Sequence, residues 1–423
     1  MIRTSLLILP ALLLVCVLAP AQSFQPKTIQ FKGDAEYSDA ELMAAAGLKK
    51  GVVLSAAEMN THSKALMDSG LFENITYTFN GQDLVYQLIP FTMLYSLRLE
   101  NLPFTDDKEL EARLRARLPL YHGEVPAEGG LLDAVRKELE DELTAKGIQA
   151  TILAAPYTDM KTGKVSVMSF TITSPAVRIG EIQLDGASAD LATKARLAAA
   201  KLVGSAYSTD GSVSQLETAL GNFYGEQGYL DLSVHAVPGT AIVGTDGMHI
   251  PFTVTLTEGP QYKLAGVQLA PDLIVTQAAF DKQSGLHAGD VVSLEKLRGN
   301  WAFLTRQYHN KGYMRVRVVP SVALDHAQGT ASYTVTAERG PVYTMGQFKV
   351  ENVSEDLRAA IVAAWKVPAG ASFNEGAILS LTATHDVNPA LERVFASANL
   401  SYSLNLHDDA RTVDVDLRLE RKH

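Results

Sequence analysis

The apolar positions of this chain switch between two periods at regular intervals. Leu294, Leu297, Trp301, Leu304 and Tyr308 fall at steps of three and four, which predicts one apolar face of a helix. Upstream, Val267-Gln268-Leu269 alternates as a strand does, and Gln277 to Ser284 predicts a short helix ended by Gly285. Gly312 stops the long helix as a left-handed C-terminal cap would. Tyr313 to Val319 and Ala331 to Ala337 then predict two strands around the turn Asp325-His326-Ala327-Gln328-Gly329. The order is strand, helix, helix, strand, strand.

The same order recurs along the chain. Val213, Leu216, Leu220 and Phe223 mark an equivalent second helix, with Ser214 and Glu217, or Asp210, as its expected cap and Gly228-Tyr229-Leu230 as its exit. Earlier, Ser55-Ala56-Ala57-Glu58 reads as a capping box, Gly70-Leu71-Phe72 as an exit and Asn80-Gly81 as a two-residue hairpin turn. Between them, Leu131, Leu132, Val135 and Leu139 form the apolar face of a charged helix that ends at Lys146-Gly147-Ile148. The exit glycines 70, 147, 228 and 312 lie 77, 81 and 84 residues apart. Pro90, Pro175, Pro260 and Pro341 keep nearly the same step, each followed by an apolar pair: Leu97/Leu99, Ile182/Leu184, Val267/Leu269 and Phe348/Val350. Gly259-Pro260-Gln261-Tyr262 and Gly340-Pro341-Val342-Tyr343 repeat at an offset of 81.

Self-similarity at a fixed period means one small unit copied in series. The expected fold is therefore α+β, a tandem array of five β-α-α-β-β modules, each a three-stranded sheet covered on one face by two helices. Their expected bounds are 26–91, 92–174, 175–259, 260–340 and 341–421. The fifth departs from the plan: Asn399 replaces the exit glycine, though asparagine can adopt the left-handed conformation of a cap, and Asp386-Val387-Asn388-Pro389 interrupts its second helix.

Residues 1–21 read as a secretory signal rather than fold, with Arg3 ahead of an apolar run from Leu6 to Ala19 and the small-x-small pattern Ala19-Pro20-Ala21. Val15 precedes Cys16, the one cysteine, where a lipoprotein signal resembles others in placing a small residue. Export would remove that thiol, leaving nothing for a disulfide, a thiolate nucleophile or a cysteine-ligated metal. The chain carries a net charge of −10, with both signs interspersed, so it lacks the basic stripe that nucleic acid requires.

Motifs for zinc-protease, hydrolase, dinucleotide and P-loop chemistry are missing from the sequence. Asp325-His326, His385-Asp386 and His407-Asp408-Asp409 are acid–histidine neighbours, read as structural rather than as a triad or metal site because no third partner adjoins them; the first and last sit in predicted hairpin turns, where Asp is favoured for local hydrogen bonding. The expectation is no enzyme, no cofactor, no metal and no small-molecule substrate.

The strand-helix-helix-strand-strand order, the exit glycine before an apolar residue and the Gly-Pro-x-Tyr step resemble POTRA domains. These are the polypeptide-transport-associated repeats of BamA-type outer-membrane assembly factors, and the resemblance covers residues 26 to 421. It implies an exported, periplasmic protein associated with the outer membrane, with a role in protein assembly or transport. Members of that type resemble one another in following the array with a membrane β-barrel, whereas this sequence stops at Arg421-Lys422-His423. A separate barrel chain is the expected partner, beside unfolded or strand-forming envelope clients. In the resembling family the second strand of a module is the edge proposed for client binding by β-augmentation. Carried over here, the candidate edge residues are Leu230, Leu232 and Val234 in the third module, and Arg315, Val316 and Val318 in the fourth; read as ordinary sheet, the apolar ones together with Met314 fill the core and Asp231, Arg315 and Arg317 face solvent. The alternative is a structural adaptor of an envelope complex without an unfolded client.

Overall fold

The computed structural model describes residues 23–421 except 35, 104–106, 159–162, 383–390 and 392–397. The expected signal, Cys16, His385-Asp386 and the break at Pro389 lie outside the described residues.

The chain is a mixed α+β array. Its first module runs β1 (Ser23–Phe24), β2 (Thr28–Lys32), α1 (Asp39–Ala46), β3 (Leu54–Ser55), α2 (Ala56–Met67), β4 (Phe72–Phe79) and β5 (Asp83–Pro90). The second follows with β6 (Tyr95–Leu99), α3 (Asp107–Arg117), β7 (Glu124–Val125), α4 (Gly130–Ala145), β8 (Thr151–Thr158) and β9 (Val165–Ser174). The third has β10 (Val177–Asp185), α5 (Ala189–Ala200), α6 (Thr209–Glu226), β11 (Ser233–Pro238), β12 (Ile242–Gly244) and β13 (Gly247–Thr257). The fourth comprises β14 (Lys263–Leu269), α7 (Gln277–Ser284), α8 (Leu294–His309), β15 (Arg317–Asp325) and β16 (Thr330–Glu338). The fifth comprises β17 (Thr344–Glu351), α9 (Glu355–Ala364), α10 (Gly376–Thr382), β18 (Ala398–His407) and β19 (Thr412–Arg421).

Each module has its own sheet, and the last strand of the module lies in its middle: β2-β5-β4, β6-β9-β8 with β7 added at the outer side, β10-β13-β11 with β12 also on β13, β14-β16-β15 and β17-β19-β18. In the fourth and fifth modules the first strand runs parallel to the middle one and the second strand antiparallel to it. The chain forms two compact units, and the division falls within the third module: Met1–Gln183, Leu202–Gln215 and Ala236–Thr253 make one, and Leu184–Lys201, Leu216–His235 and Val254–His423 the other.

Local chemistry explains the elements. Ser55 and Glu58 cap α2 reciprocally, and Ser38 and Glu41 do the same for α1, a second capping box that the sequence reading passed over. Thr276 caps α7 and Gly285, at φ 60°, ends it. On α8, Leu297, Leu304 and Tyr308 are buried. Two local expectations need correction. Helix α6 starts at Thr209, and Ser208 accepts from the Gly211 N–H, so Ser214 and Asp210 lie inside the helix rather than capping it. Asn399 sits in β18 opposite Glu420 and is no helix cap.

Candidate functional site

The middle strand β16 alternates, burying Ala331, Tyr333 and Val335, because its helix-side face meets the core and its other face meets water. The outer strand β15 has no buried residue. It pairs with β16 from Arg317 opposite Glu338 to Asp325 opposite Thr330. Among the described residues its other side is unpaired, leaving a row of backbone N–H and C=O groups. Beside it lies a groove of about 610 Å³, walled by Val322 and Leu324 of β15, Leu294 and Trp301 of α8, and Leu230 and Leu232 from the third module. Glu217 and Arg298 add charge to the lining. Val322 is exposed, an apolar side chain open at the edge.

The sequence-predicted residues divide between this edge and something else. Val318 belongs to β15 and Val234 to β11. Leu230 and Leu232 precede β11, and Arg315 and Val316 precede β15, so these four are not edge-strand residues. The physical reason is that the chain crosses to the next module before it becomes a strand. Leu230 packs against the fourth module's core with Tyr262, Leu297 and Tyr333. Met314, its equivalent 84 residues later, is buried in the fifth module's core with Tyr343, Phe373 and Val413. Arg315 therefore faces a neighbouring module rather than a free edge.

The same crossing builds a recurrent joint. Gly228 and Gly312 adopt φ 83° and 84°, a region costly to a residue with a Cβ. A Cβ on Gly312 would also meet the Tyr343 carbonyl oxygen at 2.8 Å. Their carbonyls accept the N–H of Tyr262 and Tyr343 respectively, each at 2.8 Å. The two tyrosines are those of the Gly-Pro-x-Tyr repeat, and each aims its hydroxyl at an aspartate. Tyr262 donates to Asp231, and Tyr343 to Asp408.

The carboxylate changes sides between the two joints. At the first, Asp231 comes from the preceding module's exit and His326 from the following module's turn, with Nδ1 2.7 Å from the Tyr262 hydroxyl and 3.2 Å from Asp231. At the second, Arg315 occupies the exit position and Asp408 the turn position, with Nη2 2.9 Å from Oδ2. Burial, and then the Asp231 carboxylate, push the Tyr262 hydroxyl up to about 12. The Tyr343 hydroxyl, followed by Arg315, holds Asp408 below the usual carboxylate range.

The turn position of Asp408 predicts local hydrogen bonding, and that of His326 a structural role in its turn. Instead they reach across joints, while Asp325 makes the local turn by accepting from the Ala327 and Gln328 N–H groups. His407 does stay within its own hairpin, 3.1 Å from Asp414. Two further histidines bridge modules: His122 lies 3.1 Å from Glu41, and His309 2.6 Å from Glu375. The His309 hydrogen bond lowers the Glu375 carboxyl. Among the described residues no group of three His, Cys, Asp or Glu side chains is arranged to hold a metal ion.

The POTRA family model, described as a surface antigen variable number repeat, matches residues 27–89. A Treponema pallidum (strain Nichols) protein named as an outer membrane protein assembly factor is 25% identical over 122 residues, 28% of this chain and 15% of that protein's length. Among solved structures, POTRA domains 3–5 of Haemophilus influenzae BamA match 59% of this chain and 98% of theirs, at 14% identity and a TM-score of 0.44. POTRA domains 1–3 of Omp85 from Anabaena match 59% of this chain and 96% of theirs, at 17% identity and a TM-score of 0.24. The chain resembles the POTRA array of BamA-type outer-membrane assembly factors, and its first module carries the POTRA sequence signature.

Proposed function

We propose that this protein is a periplasmic, outer-membrane-associated POTRA scaffold, acting without catalysis, that binds strand-forming envelope proteins during their assembly or transport. The observation that carries this reading is the unpaired side of β15 beside an apolar groove. An extended segment laid along that edge gains main-chain hydrogen bonds worth about 1 kcal/mol each, whatever its sequence. Its alternate side chains enter the groove, whose volume suits a few apolar residues. Pro320 removes one donor from β15, so the ladder is best formed along Ser321 to Asp325. The name of the Treponema relative supports a role in outer-membrane protein assembly.

A photo-crosslinking residue at Val322, with Lys282 on α7 as an exposed control, tests this. Unfolded outer-membrane precursors should be captured at Val322 and be displaced by an unstructured barrel-strand peptide. Capture of one folded partner, indifferent to that peptide, would instead make the protein a structural adaptor. Equal labelling at Val322 and Lys282 would remove the edge from the mechanism.

A further inference from the structure

The groove beside β15 has two charged side chains in its walls, Glu217 of α6 and Arg298 of α8, and only one of them has a partner. The Arg298 Nη2 donates to the Asn222 side chain at 2.7 Å, and its Nη1 lies 3.9 Å from Glu226. Glu226 also accepts the Ser293 hydroxyl at 2.7 Å. Glu217 is half-buried and makes no hydrogen bond or ion pair among the described residues. A carboxylate accepts up to four hydrogen bonds, and one set among leucines keeps only those that water supplies.

One helical turn on, Gly221 lines the same groove. Positions i and i+4 share a helix face, so the two stand side by side on α6. A helix interior disfavours glycine unless a neighbour needs the room. Gly225 meets that condition, because a Cβ there would strike the Leu294 side chain. At Gly221 a Cβ would meet nothing within 4 Å beyond its own stretch of helix. The fold makes no use of that space, which opens on the groove next to the unpartnered carboxylate.

The phase of β15 decides what can reach it. Pro320, Val322 and Leu324 all line the groove, and the pairing with β16 is continuous from Arg317 to Asp325. Proline has no N–H, so on an edge strand its nitrogen turns away from the neighbouring strand. Val322 and Leu324 share that phase, and their N–H and C=O groups point to the open side. A segment paired with them sets every second side chain into the groove.

We infer that this groove selects extended segments whose inward-facing row combines apolar side chains with one lysine or arginine. The cation meets Glu217, and its aliphatic stem fills the space at Gly221. The inference rests on the edge-binding reading of β15 and adds to it a preference among clients, which a main-chain ladder alone does not supply.

The test uses labelled peptides of about ten residues that alternate apolar and polar positions, with one apolar residue replaced in turn by lysine, glutamine or glutamate. Each is titrated against the full chain by fluorescence anisotropy. At one of the positions the lysine peptide should bind about five-fold more tightly than the glutamine peptide, and the glutamate peptide should bind more weakly than either. Glu217→Gln should erase the advantage of lysine. Glu295→Gln, which removes the same charge from an exposed residue of α8 outside the groove, should keep it. Gly221→Leu introduces a good helix former into open space and should weaken every peptide. Peptides that are captured at Val322 but show no preference at any position overturn the inference and leave the edge reading standing. A lysine advantage that persists in Glu217→Gln, or undiminished binding to Gly221→Leu, overturns it as well. If no peptide binds, both fall.

Discussion

Gly312 does three things that a residue with a side chain cannot combine. It ends α8 in a left-handed conformation, accepts the Tyr343 N–H, and lets that residue's carbonyl approach where a Cβ would stand. Gly312→Ala should cost about 1–2 kcal/mol for the backbone conformation alone, and more for the displaced tyrosine. Faster hydrogen exchange at the Tyr343 N–H, with little change on the far side of the fourth module, checks it. Asp408 gives the same joint an acid limit. Its carboxyl is held low by the Tyr343 hydroxyl and Arg315, so its contribution is present above the ordinary carboxylate pKa and is lost as pH falls through the lowered one. Asp408→Asn should flatten that acid dependence, read as exchange at the same N–H. The glycines were legible in the sequence because only a narrow set of residues tolerates their conformation. The Tyr–Asp contacts were not, since Asp231 and Asp408 are ordinary surface acids until the chain brings a tyrosine from 31 or 65 residues away.

At the scale of elements, helices were easier to foresee than outer strands. The face of α8 is fixed by a period of 3.6 that nothing else in the segment imitates, and α7 was legible as Gln277 to Ser284 with Gly285 at its end, though its Thr276 cap was not. The segment after Gly312 reads as an alternating strand from Tyr313, but the strand begins at Arg317. Met314 is apolar because it fills the fifth module's core, so its hydrophobicity carries no information about the fourth module's sheet. An outer strand with no buried residue also has little pattern to read, as the exposure of Val322 illustrates. Met314→Ala should therefore destabilise the module to which it does not belong in sequence. Truncating a buried methionine costs about 2–5 kcal/mol, and the loss should appear in hydrogen exchange of β17 and β19 rather than of β14 and β16.

For the whole molecule, the question is whether stability is one quantity or several. The described residues contain no cysteine, so no disulfide ties one module to the next and reductant should leave unfolding unchanged. The two tryptophans fall in different modules and report on separate cores: Trp301 packs with Phe280 and Tyr333 in the fourth, and Trp365 stacks on Phe348 at 4.4 Å in the fifth. Arrays of small folds unfold as a sum of module stabilities and neighbour contacts, so two-state treatment of the full chain is not warranted. Trp301→Phe leaves a signal from the fifth module alone, and Trp365→Phe one from the fourth. Urea midpoints read from these variants should differ. Adding Met314→Ala should lower the midpoint reported by Trp365 by more than the one reported by Trp301. Coincident midpoints that move together would mean that the joints couple the fourth and fifth modules into a single cooperative body, with the Tyr343–Gly312 and Tyr343–Asp408 contacts transmitting most of the cost.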